Sequence, residues 1–410
     1  MRIPKRVLGA TAALMISTVV LLAAYDDDDN RVKGQLIVIS WLKAFRFAGL
    51  KVFTVNGNTG TATAGASQQL PQSIQGLGTA TSSVRTGISS SGSSPLLRFL
   101  SSLGVAPLVT SGSPVTFTTN AYILDTQYLF QLDPSTGVVL RSLDLISGQS
   151  GEPSSGFAIT SDGKFAIVSN EGQNNNPYVL MVDLGSFTVA ATIQIPEKAT
   201  AWGVAVTPDN KFAYVVTQSL STGQNSVYVL DLTARKISTT VPLPKYSNLD
   251  TIAMTPDGTA VYLGSDLGGD FQIPVIDTVS NTVTMDASLL YYSASTGTLL
   301  PGAPTYMAMH PDGTRLYLAP TNGGPIFVLS TITNQITKLI QVPQGQASPS
   351  GTAPVFSPDG RLLFVLDGPG AFCMIDTASD TVRTTIPLDP TVANGPPGGT
   401  KVSFFFVPGP

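Results

Sequence analysis

An all-β repeat architecture, a ring of four-stranded antiparallel blades, is what this chain predicts, on three observations. One type of turn recurs five times: Thr160-Ser161-Asp162-Gly163, Thr207-Pro208-Asp209-Asn210, Thr255-Pro256-Asp257-Gly258, His310-Pro311-Asp312-Gly313 and Ser357-Pro358-Asp359-Gly360. Proline pre-sets φ in such a turn, and Asp, Asn and Gly tolerate its tight positions. The turn aspartates are spaced by 47, 48, 55 and 47 residues, a period that suits one blade of a β-propeller. Behind each turn comes a β-branched and aromatic run, then a short strand ending in Val182-Asp183-Leu184, Leu230-Asp231-Leu232, Ile276-Asp277-Thr278, Leu329-Ser330-Thr331 or Ile375-Asp376-Thr377.

The best-formed unit is Gly203–Leu243. Gly203–Thr207 is small and apolar, as an innermost strand near a crowded axis must be. Phe212–Thr217 alternates as a second strand, Val227–Leu232 as a third, and Lys236–Leu243 closes the unit as a more polar outer strand. Four short strands with an apolar layer on each face cannot stand alone, so neighbouring copies must stack.

The turns, the Tyr-Val type second strand, the Ile-Asp-Thr type third strand and Thr384-Thr385-Ile386-Pro387 resemble the YVTN-family β-propeller repeat over roughly residues 120–410. That family overlaps lactonase-like seven-bladed propellers, so the resemblance implies a seven-bladed β-propeller and, as one possible activity, lactone hydrolysis.

Taken from the start, Met1–Ala24 has a basic opening (Arg2, Lys5, Arg6) and an apolar run to Leu22-Ala23-Ala24, which reads as a cleaved signal peptide or, uncleaved, an anchor. Tyr25 stands where a lipid-bearing cysteine would be needed. Residues 25–33 form an acidic and polar spacer; the four aspartates Asp26–Asp29 suit hard cations but have no shaping glycine. Residues 34–66 read as a degraded N-terminal blade, with Gly34–Ser40 and Leu50–Asn56 as strands. Between them Trp41–Ala48 is basic and amphipathic, as a long loop or a membrane-touching segment would be. Residues 67–119 form a low-complexity insertion or linker, with apolar patches at Leu96–Leu103 and Val105–Val109.

Residues 120–410 carry the blades. Ala121–Leu145 also resembles a PQQ-type repeat, but Arg141 occupies that repeat's tryptophan place, so only propeller geometry is implied. Lys401–Pro408 matches a first strand with no second strand behind it. It is expected to pair with the strands of 34–66 and to close the ring at seven blades. Six blades, with the C-terminal strand joining the 120–146 unit, is the alternative.

Charge divides the chain. Arg31–Leu124 has seven Lys/Arg and no acidic residue, whereas Asp125 onward has 12 Lys/Arg against 22 Asp/Glu. The basic stretch is expected to pack on the acidic part or to face an anionic partner. The overall net charge of −4 disfavours nucleic acid as a partner. The chemical inventory is small. His310, the only histidine, fills a turn position, and Cys373, the only cysteine, sits in an apolar strand. A Ser-His-Asp triad is nearly excluded, and no haem, metal, phosphate-loop or dinucleotide motif is present, so no cofactor is expected.

Any site is expected where loops join second to third strands and fourth to next first strands. The candidates are Trp202, Asp250, Tyr306 and Lys401 before first strands, Glu171, Asp266, Asp270 and Asp367 in second-to-third loops, and Tyr291 and Tyr292 in the long insert. Together they would line an acidic and aromatic funnel. The expected function is an exported, non-catalytic binding or scaffold module for a protein, glycan or polymer, in the periplasm, on the cell surface or secreted, with no membrane span once the leader is removed. The alternative is a lactonase-like hydrolase whose carboxylates, such as Glu171 and Asp250, converge at the channel mouth.

Overall fold

The structure, a computed structural model, describes residues 19–26, 31–42, 47–56, 61–69, 85–90 and 105–107, most of 120–387, and 402–409. Within 120–387 the descriptions leave out 125–127, 133–138, 147–153, 247, 266–271, 289, 294–297, 302–305, 320–323, 344–353, 358–359 and 368–370.

Six four-stranded antiparallel sheets follow one another along the chain. Sheet 1 is Arg85–Ser90, Asn120–Leu124, Tyr128–Leu132 and Val139–Asp144, with Val105–Pro107 added in parallel to its first strand. Sheet 2 is Ser154–Ile159, Phe165–Asn170, Tyr178–Asp183 and Thr188–Gln194; sheet 3 is Ala199–Val206, Phe212–Ser219, Asn225–Asp231 and Lys236–Leu243. Sheet 4 is Leu249–Met254, Ala260–Ser265, Gln272–Asp277 and Thr282–Ser288. Sheet 5 is Tyr306–Met309, Arg315–Ala319, Ile326–Ser330 and Gln335–Ile340, joined to sheet 4 by the pair Ser288 and Gln335. Sheet 6 is Val355–Phe356, Leu362–Asp367, Ala371–Asp376 and Thr381–Pro387.

A further sheet joins the two ends of the chain. Val402–Gly409 pairs antiparallel with Arg31–Leu42, with Gln35 opposite Val407 and Ser40 opposite Val402. Phe47–Asn56 and Thr61–Gln69 continue that sheet, and Val19–Asp26 joins it as well.

Period-two alternation explains why the sheets stack. In Phe212–Ser219, Ala213 and Val215 face the core shared with sheet 2, while Tyr214 and Val216 face the core shared with sheet 4. The same division gives one apolar cluster for each neighbouring pair from sheets 1 and 2 to sheets 5 and 6. First strands neighbour one another in series: 85–90 with 154–159, then 199–206, 249–254 and 306–309. Val355–Phe356 neighbours Val402–Gly409, which in turn neighbours Arg85–Ser90. The fold is all-β and propeller-like.

The recurring turn acts within and between sheets. Thr207 N donates to the Phe212 carbonyl (2.8 Å), and Thr207 Oγ1 donates to Asp209 Oδ1 (2.7 Å) while accepting from Phe212 N (3.0 Å). Thr160 with Asp162 repeats this geometry, and Thr255 bonds Ala260 in the same way. Gly258 has φ +74°, and a Cβ there would lie 2.7 Å from Pro208 Cδ of the preceding sheet, so the turns stack edge on edge.

A tyrosine in the second strand then locks sheets 3, 4 and 5 each to the next. Tyr214 donates to Asn281 Oδ1 (2.7 Å), Tyr262 to Asn334 Oδ1 (2.8 Å) and Tyr317 to Asp380 Oδ1. All three acceptors sit at positive φ in the next sheet's third-to-fourth turn. Burial, with nearby aspartates adding to it, pushes the Tyr214 and Tyr262 hydroxyls up to about 12, so they stay protonated donors.

The repeated third-strand aspartates shape those same turns. Asp231 accepts from Ala234 N (2.7 Å), Asp277 from Ser280 N (2.7 Å) and Asp376 from Ser379 N (3.0 Å). These carboxylates are scaffold.

Candidate functional site

In a sheet ordered 1-2-3-4, the second-to-third loop and the exit from the fourth strand lie at the same end. All the candidate residues are expected at that loop end, opposite the recurring turns. Trp202 and Asp250 lie there, each five residues before its turn threonine, Thr207 or Thr255. Both fall at breaks in strand register, between Ala201 and Val204 and between Leu249 and Thr251. Bulges of this kind re-aim side chains and concentrate near sites. The sequence therefore places Trp202 and Asp250 in equivalent positions, and the structure keeps them so. Tyr306 stands only four residues before His310, at the place of Gly203 and Thr251, so its equivalence with the other two is off by one residue.

Close backbone approach positions these residues. The Trp202 carbonyl accepts from Ser169 Oγ (2.6 Å), and a Cβ on Gly156 would collide with that carbonyl. A Cβ on Gly203 would lie 2.8 Å from the Asp250 carbonyl. First strands of sheets 2, 3 and 4 thus touch at the bulges, and only glycine fits between them. The indole of Trp202 is half-buried and packs on the apolar cluster between sheets 3 and 4. Asp250 is half-buried, with Oδ1 shielded from solvent.

The other candidates spread out. Glu171 is half-buried just after Asn170, whose Oδ1 accepts from Gly172 N (2.8 Å). Asp367 is the last residue of the second strand in sheet 6 and is wholly buried. It accepts from Cys373 Sγ (3.4 Å), and burial pushes the thiol up to about 12 against the lowering effect of Thr385. Tyr291 and Tyr292 belong to a hairpin, Leu290–Ser293 with Thr298–Pro301, between sheets 4 and 5. Asp266, Asp270 and Lys401 lie outside the described residues.

Sequence reasoning missed the groups that hold this end in shape. Asn225, buried, donates to the Leu249 carbonyl (3.2 Å) and accepts from Leu249 N (3.3 Å), fixing the strand start beside Asp250. Gln218 Nε2 donates to Asn248 Oδ1 (3.2 Å). Tyr228 donates to Glu197 Oε1 (2.9 Å), and burial together with that carboxylate pushes the phenol well up. Tyr246 donates to Asp286 of the next sheet. The one hint in the sequence is that amides and tyrosines cluster in 218–248, between well-formed strands.

The arrangement offers amides, hydroxyls and half-buried carboxylates on a rigid frame, which suits recognition through hydrogen bonds. Among the described residues, no three His, Cys, Asp or Glu side chains group as metal ligands. No helix among them is long and apolar enough to cross a membrane. His310 lies at the opposite end. Its Nε2 meets the Gly360 carbonyl (3.1 Å), its Nδ1 lies 2.7 Å from Asp312 Oδ1, and its ring is edge-on to Phe356 at 5.1 Å.

No protein-family model matches this chain, and no curated protein does. Among solved structures it is similar to Kuenenia stuttgartiensis hydrazine synthase, with 16% identity and a TM-score of 0.51 over 67% of this chain and 87% of that one. A likeness at that identity shows the fold alone, and the class it defines is a propeller-like β-repeat protein.

Proposed function

We propose that this chain is an exported, non-catalytic seven-bladed propeller of the YVTN type that binds a protein, glycan or polymer at the cell envelope or outside it. The seventh blade is the sheet of 402–409, 31–42, 47–56 and 61–69, closing the ring against sheets 1 and 6. The neighbouring of Val402–Gly409 with both Arg85–Ser90 and Val355–Phe356 supports that count. The leader of 1–24 supports export.

One observation carries the binding reading. The turn end repeats the same hydrogen bonds from sheet to sheet, whereas the loop end of sheets 2 to 4 differs in each and is nonetheless pinned by Ser169, Asn225, Gln218 and Tyr228. A frame that is uniform at one end and individually fixed at the other suits display of a recognition surface.

The test is a glycan and envelope-polymer binding screen with the mature chain, repeated with Asp250→Asn and Glu171→Gln. Binding weakened at least about tenfold by either variant, about 1.4 kcal/mol, supports the reading. Lactone hydrolysis by the wild type that both variants lose would replace it with the hydrolase.

A further inference from the structure

Fourth strands form the outer edges of sheets 1 to 6, and a bare edge invites a further strand. Sister edges are guarded near one and the same place. Opposite Tyr128, Ser226, Gln272 and Ala371 of the third strands stand Asp144 in sheet 1, Pro242 in sheet 3, Ser288 in sheet 4 and Pro387 in sheet 6. Asp144 is a charge, and the prolines have no N–H to offer a newcomer. Ser288 is paired with Gln335 of sheet 5, whose own outer strand carries Lys338 and has Leu290–Ser293 of the hairpin beside it. In sheet 2 the same place, opposite Tyr178, is Gln194.

Sheet 2's outer strand, Thr188–Gln194, has neither a charge nor a proline along its length. Thr188, Val189, Thr192 and Gln194 are exposed, while Ile193 is buried in the core shared with sheet 3. Backbone alternation decides which groups point out. Ile195 N donates to the Pro177 carbonyl (2.9 Å), so Ile193 and Ile195 turn their backbone groups to the third strand. Thr192 and Gln194 turn theirs outward. Among the described residues no hydrogen bond reaches those two amides. Short of them, where the register shifts, Arg235 Nη1 of sheet 3 donates to the Ala190 carbonyl (3.1 Å) and closes the edge.

We propose that Thr192–Gln194 is a strand-addition site at which a second copy of the chain pairs antiparallel through the same segment. The outward groups dictate the register. With Ile193 facing its counterpart across a two-fold axis, each copy's Thr192 and Gln194 amides donate to the other's Gln194 and Thr192 carbonyls, and every outward group is matched. A copy is the occupant because this edge is its own complement. A neutral segment meets itself without repulsion, whereas the edges bearing Asp144, Lys338 or Arg383 would bring like charges together. The contact uses one patch on both copies, so association stops at a dimer. It holds whatever the loop end binds.

Sedimentation velocity of the full chain, over a concentration series in low and in high salt, tests this. The wild type is expected to pass from monomer to dimer and no further, with little dependence on salt because no charge takes part. Gln194→Pro and Thr192→Asp install residues that sister sheets carry at the same places, Pro242 and Pro387 for the first and Asp286 for the second. Each should raise the dissociation constant at least about tenfold. Thr192→Asp keeps every backbone group, so its melting temperature should match the wild type's. Thr240→Asp, at the same place on sheet 3, should leave the dimer intact. A wild type that stays monomeric or grows beyond a dimer overturns the proposal, as does equal weakening by Thr240→Asp. So does a dimer that either edge variant leaves intact, which would move the contact to another edge such as Thr61–Gln69, also uncharged.

Discussion

The seams between sheets 3 and 4 and between 4 and 5 are locked by neutral groups, Tyr214 with Asn281 and Tyr262 with Asn334. The seam between sheets 5 and 6 uses the same tyrosine position on a carboxylate, Asp380, which also accepts from Arg315 Nη1 (3.2 Å). Arg315 Nη1 further donates to the Thr377 carbonyl (2.6 Å), and His310 fills the turn position that threonine or serine holds elsewhere. One geometry thus accepts either chemistry. The lesson is that a repeat lock is defined by its backbone placement, an acceptor at positive φ facing a buried phenol. The charged version becomes a liability only when half of it is removed.

The largest effect is expected where the charged seam is halved. Arg315→Met leaves the Asp380 carboxylate, 13% exposed, without its cation. A loss of about 3 kcal/mol in urea unfolding is expected. A loss under about 1 kcal/mol would make the charged seam no different from its neutral sisters.

Next is the turn stack at a neutral seam. Gly258→Ala forces a Cβ at positive φ against Pro208 and should cost about 2 kcal/mol, whereas Gly223→Ala, at φ +70° with open space around it, should show the backbone strain alone. Equal losses in the two would remove the Pro208 contact from the account.

Smaller again, Tyr262→Phe takes one hydrogen bond from a neutral seam and should cost about 1 kcal/mol by the same unfolding measurement. Tyr317→Phe should cost more, because a charged acceptor loses its donor.

The smallest effect is a pH dependence shared by the turns of Asp162, Asp209, Asp257 and Asp312. Burial raises the Asp162 carboxyl, but hydrogen bonds from Thr160 and Lys164 outweigh it and hold it below the ordinary value of 3.8. Asp209 is lowered in the same way, with Thr207 and Lys211 outweighing burial. A lowered folded value means that the stabilisation is complete above about pH 4 and is lost as pH falls through the folded value. Melting temperature should therefore fall on acidification below that point, and Asp162→Asn should make the fall shallower.

The repeat was legible because its signals are local. Five turns at blade spacing, and the alternation in Phe212–Thr217, sit within short windows where proline, aspartate and β-branched side chains dictate the backbone. The pairing of the C-terminal strand with 31–42 was legible because Lys401–Pro408 had the pattern of a first strand and nothing to follow it. The site was less so. Trp202 and Asp250 broke the repeat and proved to sit at bulges. Asp367 looked like a loop carboxylate but ends a buried strand, because sheet 6 continues its ladder to the pair Asp367 and Ala371. The locks were hidden altogether. Tyr214 and Asn281 are far apart in the chain, and no window of sequence shows that one sheet's phenol finds the next sheet's turn.

The ladder between Val402–Gly409 and Arg31–Leu42 also sets a timetable. Its two strands are separated by most of the intervening sheets, so the 31–42 strand waits for this partner until those sheets have been made. During that wait its edge can recruit a chaperone or the wrong neighbour.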